Sequence, residues 1–192
     1  MRSSMKTAES VTSGHPDKIC DQISDAILDE YLRRDPESRT GIECFGNHGM
    51  LVIGGEVTST GTVDAEAVAR AIYREIGYAD ELQILSHIEK QSPDIAQGVD
   101  TGGAGDQGIM YGYATAETQE FLPRTVVMAH ALTRRLADLR RHDPAYAWLG
   151  PDGKAQVTMD RGRITAVLVS TQHASDMSHD DVLVGVRDGV IA

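Results

Sequence analysis

The sequence predicts an α+β protein made of repeated split β-α-β-β-α-β units, the second of them incomplete. Three observations carry that expectation. Amphipathic helix patterns alternate with short strand patterns along the whole chain. The order strand, helix, hairpin, helix, strand in the first half recurs as strand, helix, hairpin, helix in the second. The 192 residues, 41% of them hydrophobic, suffice for one or two small domains. The expected division runs 1–98 and 99–192, with the glycine-rich stretch Gly98–Gly108 at the boundary.

Met5–Val11 reads as a short strand. Asp17–Arg34 reads as a helix with Ile19, Ile23, Ala26, Ile27 and Tyr31 on one face. Pro16 suits its first position, and Asp35-Pro36 stops it. Asp21, Asp25 and Asp29 form a stripe along it, read as a solvated face. Arg39–Gly46 and Gly49–Thr60 are two strands around an Asn47-His48-Gly49 turn. Gly54-Gly55 interrupts the second, as a bulge or a close backbone approach would. Val63–Ile76 is a helix with Val68, Ile72 and Ile76 on a shared face and Gly77 behind it. Glu81–Ile88 is another strand, and Lys90–Ile95 a turn.

The second half opens with a strand at Gly108–Ala114. A long helix follows at Leu122–Arg141, carrying Val127, Ala131, Leu132, Leu136 and Leu139, and Asp143-Pro144 ends it. Ala155–Asp160 and Arg163–Gln172 form a hairpin around Arg161-Gly162. Ser178 caps a last helix with Val182, Val186 and Val190 on one face.

Composition excludes several classes. The net charge of −11, from 18 basic and 29 acidic residues, argues against general affinity for nucleic acid or anionic membrane. No apolar run approaches a membrane span and no signal-peptide core is present, so the cytoplasm is the expected location. Cys20 and Cys44 lack metal-ligand spacing and read as small buried hydrophobes. An acidic protein that handles a polyphosphate needs bound metal or a few placed lysines. Lys18 and Lys154 are the lysines that fall inside motifs.

The stretch Glu9-Ser10-Val11-Thr12-Ser13-Gly14-His15-Pro16-Asp17-Lys18 organises the rest. A helix starting at Pro16 would aim its unpaired N–H groups and positive dipole end towards His15, a good place for a phosphate. Asp17 is a hard oxygen ligand of the kind Mg²⁺ shares with substrate phosphates. On spacing alone, a plain helix cap with a charged first turn stays open. Glu43 and Glu56 are acids in otherwise apolar strands of one hairpin. The run Gly98–Gly108 lacks the Lys-Ser/Thr of a Walker loop and the strand-to-helix context of a dinucleotide fingerprint.

Four stretches in order resemble the S-adenosylmethionine synthetase (methionine adenosyltransferase) family. They are Gly14–Lys18; Glu43 with Gly49–Thr58; Gln91–Ile95 with Gly103–Gly108; and Pro151–Thr158 followed by Ser170–His173. The resemblance implies synthesis of S-adenosylmethionine from ATP, L-methionine and water, with release of phosphate and pyrophosphate. It implies Mg²⁺ at Asp17 and K⁺ at Glu43. It implies an ATP site formed by His15, Asp152, Gly153 and Lys154, with His15 and Lys154 catalytic. Methionine would meet Glu56, Gln91 and Asp106, and Gln91–Gly108 would gate the site, although that segment is short for the family. Ser13 stands where the family often has an acid, and Ala155 where it often has Ser or Thr. The family's C-terminal motifs, with further phosphate-binding lysines and a second metal carboxylate, do not occur in these 192 residues. The expectation is a chain inactive alone, acting as a homo-oligomer and/or with a second polypeptide that carries the C-terminal domain. The alternative is a non-catalytic regulatory or nucleotide-binding subunit.

Overall fold

The computed structural model describes residues 5–100, 102–105 and 107–192. The elements, in chain order, are β1 (Met5–Val11), α1 (Pro16–Arg34), β2 (Arg39–Asn47), β3 (Met50–Thr58), α2 (Ala65–Ile76), β4 (Gln83–Lys90) and α3 (Pro93–Asp100). They continue with α4 (Arg124–His142), β5 (Leu149–Asp160), β6 (Arg163–His173) and α5 (His179–Val186), which runs on into a π turn at Arg187–Ile191. This is an α+β chain with two three-stranded sheets. It divides into two compact units. One joins the N-terminal stretch up to Lys18 to Tyr113–Ala192, and the other is Ile19–Gly112.

In the first unit the sheet order is β1-β5-β6, antiparallel throughout. Glu9 stands opposite Gln156 and Val11 opposite Lys154. β5 alternates as a half-buried strand should, with Gly153, Ala155, Val157 and Met159 inward. α4 covers that face. Its buried stripe is Thr125, Ala129, Thr133, Leu136 and Leu139. Ala131, expected inward, is exposed. The helix instead turns its threonines to the sheet, where Thr133 Oγ1 and Ser10 Oγ share a hydrogen bond of 2.9 Å. Val186 and Val190 close the end of this core against Leu136, Leu139 and Leu149.

In the second unit the order is β2-β3-β4. β2 and β3 are antiparallel, β3 and β4 parallel. A parallel pair needs a crossover, and α2 supplies it. Ile19, Ile23, Ile27 and Tyr31 of α1 pack with Ile42, Leu51 and Ile53 of the sheet. α2 contributes Ala65, Ala69, Tyr73 and Ile76. The expected α2 stripe through Val68 and Ile72 is therefore offset, since both are only half-buried. The buried face thus pairs two small residues, Ala65 and Ala69, with two large ones, Tyr73 and Ile76. Both hairpins turn on two consecutive positive-φ residues, His48-Gly49 (46° and 78°) and Arg161-Gly162 (47° and 79°). This is the type I′ geometry that matches strand twist. The β2–β3 ladder runs unbroken through Gly55. The Gly54-Gly55 signal is thus a close approach rather than a bulge. Gly55 has φ 139°, and a Cβ there would stand 2.9 Å from the Gly41 carbonyl carbon and closer to its oxygen.

Three further expectations changed. Gly108–Ala114 joins no ladder, and Ile109, Met110, Tyr111 and Tyr113 are exposed along it. No strand among the described residues pairs with it, and glycines at 102, 103, 105, 108 and 112 raise the entropy of ordering it. Pro93–Asp100 is a helix where a turn was expected; Ser92 Oγ accepts from Asp94 N at 3.3 Å. β5 begins at Leu149 instead of Ala155, so Asp152-Gly153-Lys154 lies in a strand. Among the described residues no helix is long and apolar enough to cross a membrane.

Candidate functional site

The site is built where the end of β1 meets the start of β5. Thr12 N donates to the Gly153 carbonyl at 2.8 Å. Thr12 Oγ1 donates to the Pro151 carbonyl at 2.7 Å. Thr12 is only 6% exposed, so these bonds are shielded from water. Just beyond, Gly14 lies against Pro151. A Cβ at Gly14 would sit 2.5 Å from Pro151 Cβ and closer still to its carbonyl group. Close approach requires glycine here. Gly153 is buried, and a Cβ there would face Thr12 and Leu136 at 3.2 and 3.3 Å. It can therefore meet a ligand only through its backbone.

The chain then turns, with His15 N donating to Thr12 O at 3.2 Å, and α1 begins. Asp17 N donates to His15 Nδ1 at 3.3 Å. An accepting Nδ1 leaves the hydrogen of the neutral ring on Nε2. Nδ1 is thus taken up by the start of the helix, and Nε2 is the ring nitrogen left for a ligand. Burial pushes the Asp152 carboxyl above its usual range, while the nearby His15 and the Gly153 N–H pull it back. Asp152 N donates to Gln172 Oε1 at 3.3 Å, which ties the strand to β6.

Lys154 Nζ lies 2.9 Å from Glu9 Oε2. Gln156 Nε2 donates to the other oxygen, Glu9 Oε1, at 3.1 Å. The Lys154 contact, more than Gln156, holds the Glu9 carboxyl below its usual range. Sequence reasoning gave Glu9 and Thr12 no role. No local spacing rule links residue 9 to residue 154; only the β1–β5 register does.

Asp17 is 91% exposed and lies 3.9 Å from His15 Nδ1. Among the described residues no three His, Cys, Asp or Glu side chains are grouped to hold a metal. Mg²⁺ needs no such cage, because it is commonly held by one or two carboxylates with phosphates and water. An open carboxylate at a helix start fits that pattern. Glu43 and Glu56 belong to the second unit, where they share the exposed face of its sheet, opposite Gly54 and Gly41. Glu43 is a single exposed carboxylate, fewer donors than a K⁺ shell uses. Gln91 is anchored there, its N donating to Val57 O at 3.1 Å and its Oε1 accepting from Thr58 Oγ1 at 3.2 Å. Asp106 lies outside the described residues. A cavity of about 900 Å³ in the second unit, lined in part by Tyr31, Ser59, Arg70, Ser86 and Lys90, contains none of the candidate residues.

The family model for the N-terminal domain of S-adenosylmethionine synthetase matches residues 3–93, and that for the central domain matches residues 101–192. The chain belongs to the S-adenosylmethionine synthetase family. It is 46% identical over 211 residues to the S-adenosylmethionine synthase of Sorangium cellulosum (strain So ce56), covering 100% of this chain and 50% of that protein. It is 46% identical over 208 residues to S-adenosylmethionine synthase 1 of Rhodopseudomonas palustris (strain BisB18), covering 100% and 54%. Identity to the S-adenosylmethionine synthase of Brachyspira hyodysenteriae (strain ATCC 49526 / WA1) is 43% over 211 residues, covering 96% and 53%. The chain thus spans about half the length of the curated relatives it matches.

Proposed function

We propose that this chain contributes the ATP-binding and leaving-group side of a methionine adenosyltransferase active site. The observation that supports the reading is the β1–β5 pairing, which sets the strand positions of Asp152 and Lys154 beside the turn that leads into His15, whose Nδ1 accepts from Asp17 N. The reaction displaces triphosphate from C5′ of ATP by the sulfur of L-methionine, and the triphosphate is then hydrolysed to phosphate and pyrophosphate. A thioether has no proton to lose, so no general base is needed. The demands are alignment of sulfur with C5′ and stabilisation of charge on the departing oxygen.

His15 Nε2–H donates to the leaving oxygen. Lys154 places a point charge on the phosphates. Asp152 accepts from the ribose hydroxyls, and the Gly153 backbone lines the nucleotide. Asp17 holds Mg²⁺, which when bound neutralises phosphate charge. Glu56, Gln91 and Asp106 contact methionine, and Glu43 offers one carboxylate towards K⁺. Residues 1–98 and 99–192 act as the N-terminal and middle domains. Element order supports a pseudo-repeat of split β-α-β-β-α-β units, the second incomplete: β1-α1-β2-β3-α2-β4, then α4-β5-β6-α5.

The remaining phosphate-binding groups come from outside these residues, in a homo-oligomer and/or a second polypeptide. Exposed apolar residues on one face of the second unit's sheet, Phe45, Met50 and Leu85, support association. The test is S-adenosylmethionine formation from ATP and methionine, with Mg²⁺ and K⁺, by the protein purified from its own source with whatever co-purifies. His15→Ala and Lys154→Ala are each expected to lose about 10²–10³ in rate, the usual effect of removing one such donor. Wild-type rates in both would overturn the reading.

A further inference from the structure

We propose that Glu9 is a positioning residue, whose carboxylate sets where Lys154 presents its ammonium group to a polyphosphate. The inference rests on the reading of the site above and adds to it a residue that the reading leaves without a role.

The argument starts from the ladder. On the outer face of the first sheet three cross-strand pairs stand in a row: Thr7 with Thr158, Glu9 with Gln156, and Val11 with Lys154. The first pair is joined by a 3.0 Å hydrogen bond. In the second, Gln156 Nε2 grips Glu9 Oε1 at 3.1 Å. That leaves Oε2 facing diagonally to Lys154 Nζ at 2.9 Å. The carboxylate is therefore held from one side and holds from the other.

Lysine is a point charge on a flexible four-carbon stem with three donors. Lys154 is 41% exposed, so little else restricts its head. One donor spent on Glu9 leaves two for phosphate oxygens. A carboxylate beside an incoming anion also repels it. The proposal is that ordering the ammonium outweighs this repulsion, which salt screens at an exposed site.

The test is binding of tripolyphosphate with Mg²⁺ to the full chain by calorimetry, for Glu9→Ala, Glu9→Gln, Lys154→Met and the double variant. Lys154→Met should weaken binding about tenfold or more, as expected for loss of a charged partner. Glu9→Ala should weaken it about threefold to fivefold, the scale of an exposed ion pair. Glu9→Gln, whose amide oxygen still accepts from Lys154, should fall between Glu9→Ala and wild type. In the Lys154→Met background Glu9→Ala should change affinity less than about twofold, because a residue acting through another shows this non-additivity. Equal weakening in both backgrounds, or unchanged or tighter binding in Glu9→Ala, overturns the proposal with the site reading intact. Wild-type affinity in Lys154→Met overturns the site reading and the proposal with it.

A second measurement needs no ligand. The acetylation rate of Lys154 by acetic anhydride, relative to Lys90 in the same sample, should rise about twofold to fivefold in Glu9→Ala as the ion pair is lost. An unchanged ratio overturns the proposal.

Discussion

Gly14→Ala is the sharpest test of how the site is assembled. The added Cβ would stand 2.5 Å from Pro151 Cβ. Carbon atoms in contact prefer about 3.5–4.0 Å, so the two segments must part by about 1 Å. Parting stretches the Thr12 N to Gly153 O bond from 2.8 Å and the Thr12 Oγ1 to Pro151 O bond from 2.7 Å. Both would then exceed hydrogen-bonding distance. Each lost bond costs about 1 kcal/mol, more where the orphaned group is buried as Thr12 is. The total is about 2–3 kcal/mol, in line with overpacking elsewhere. For a chain of this size that lowers Tm by about 4–12 °C. Thermal unfolding by circular dichroism reads the shift, and tripolyphosphate calorimetry reads the damage to the site. Gly41→Ala is the control, since a Cβ there meets nothing within 4 Å. A Gly14→Ala protein that melts within about 1 °C of wild type, with unchanged polyphosphate affinity, would refute the reasoning.

Thr12→Val keeps the shape but removes the donor to Pro151 O, and should cost about 1–3 kcal/mol in chemical denaturation. His15→Gln retains an N–H near the Nε2 position while His15→Asn does not, so S-adenosylmethionine formation should fall less in the first. Two arginines, Arg33 and Arg34, hold the Glu30 carboxyl down at about 2. A depressed folded-state value means stability that is present above the ordinary 4.5 and is lost as pH falls towards about 2. Denaturation midpoints across that window should decline less steeply for Glu30→Gln. Asp152 has the opposite sign: burial raises its carboxyl, so its ionisation above the carboxylate range opposes folding. Asp152→Asn should therefore raise the midpoint at pH 7 and leave it unchanged at pH 3.

Local chemistry explains which features were legible in the sequence. The α1 stripe at Ile19, Ile23 and Ile27 and the two type I′ turns obey short-range rules, and each sits where those rules put it. α3 was missed: Ser92-Pro93-Asp94 serves equally as the turn expected there or as the start of a helix. The Gly108–Ala114 strand had a correct local pattern without a partner, and pairing is not a local property. Of the site, His15, Asp17 and Lys154 were legible as motif residues. The Glu9–Lys154 contact was not, since it depends on which strands pair and in what register. The inward threonines of α4 were missed because an apolar stripe cannot anticipate a hydrogen bond to Ser10.

The β1–β5 pairing also sets an order of events during synthesis. Glu9 and its partner Gln156 are separated by 147 positions. At about 5–20 residues per second a ribosome takes about 7–30 s to cover that interval. The unit Ile19–Gly112 lies wholly within it and has its own sheet and core. That unit can therefore fold while β1 still waits with both edges open, exposed to pairing with other chains. Closing so long a loop adds entropy cost only slowly with length, so the final pairing is delayed more than it is weakened. The junction carrying His15, Asp152 and Lys154 can thus form only after the unit Ile19–Gly112 has been made. Conditions that slow elongation should raise aggregation before they lower the stability of finished protein.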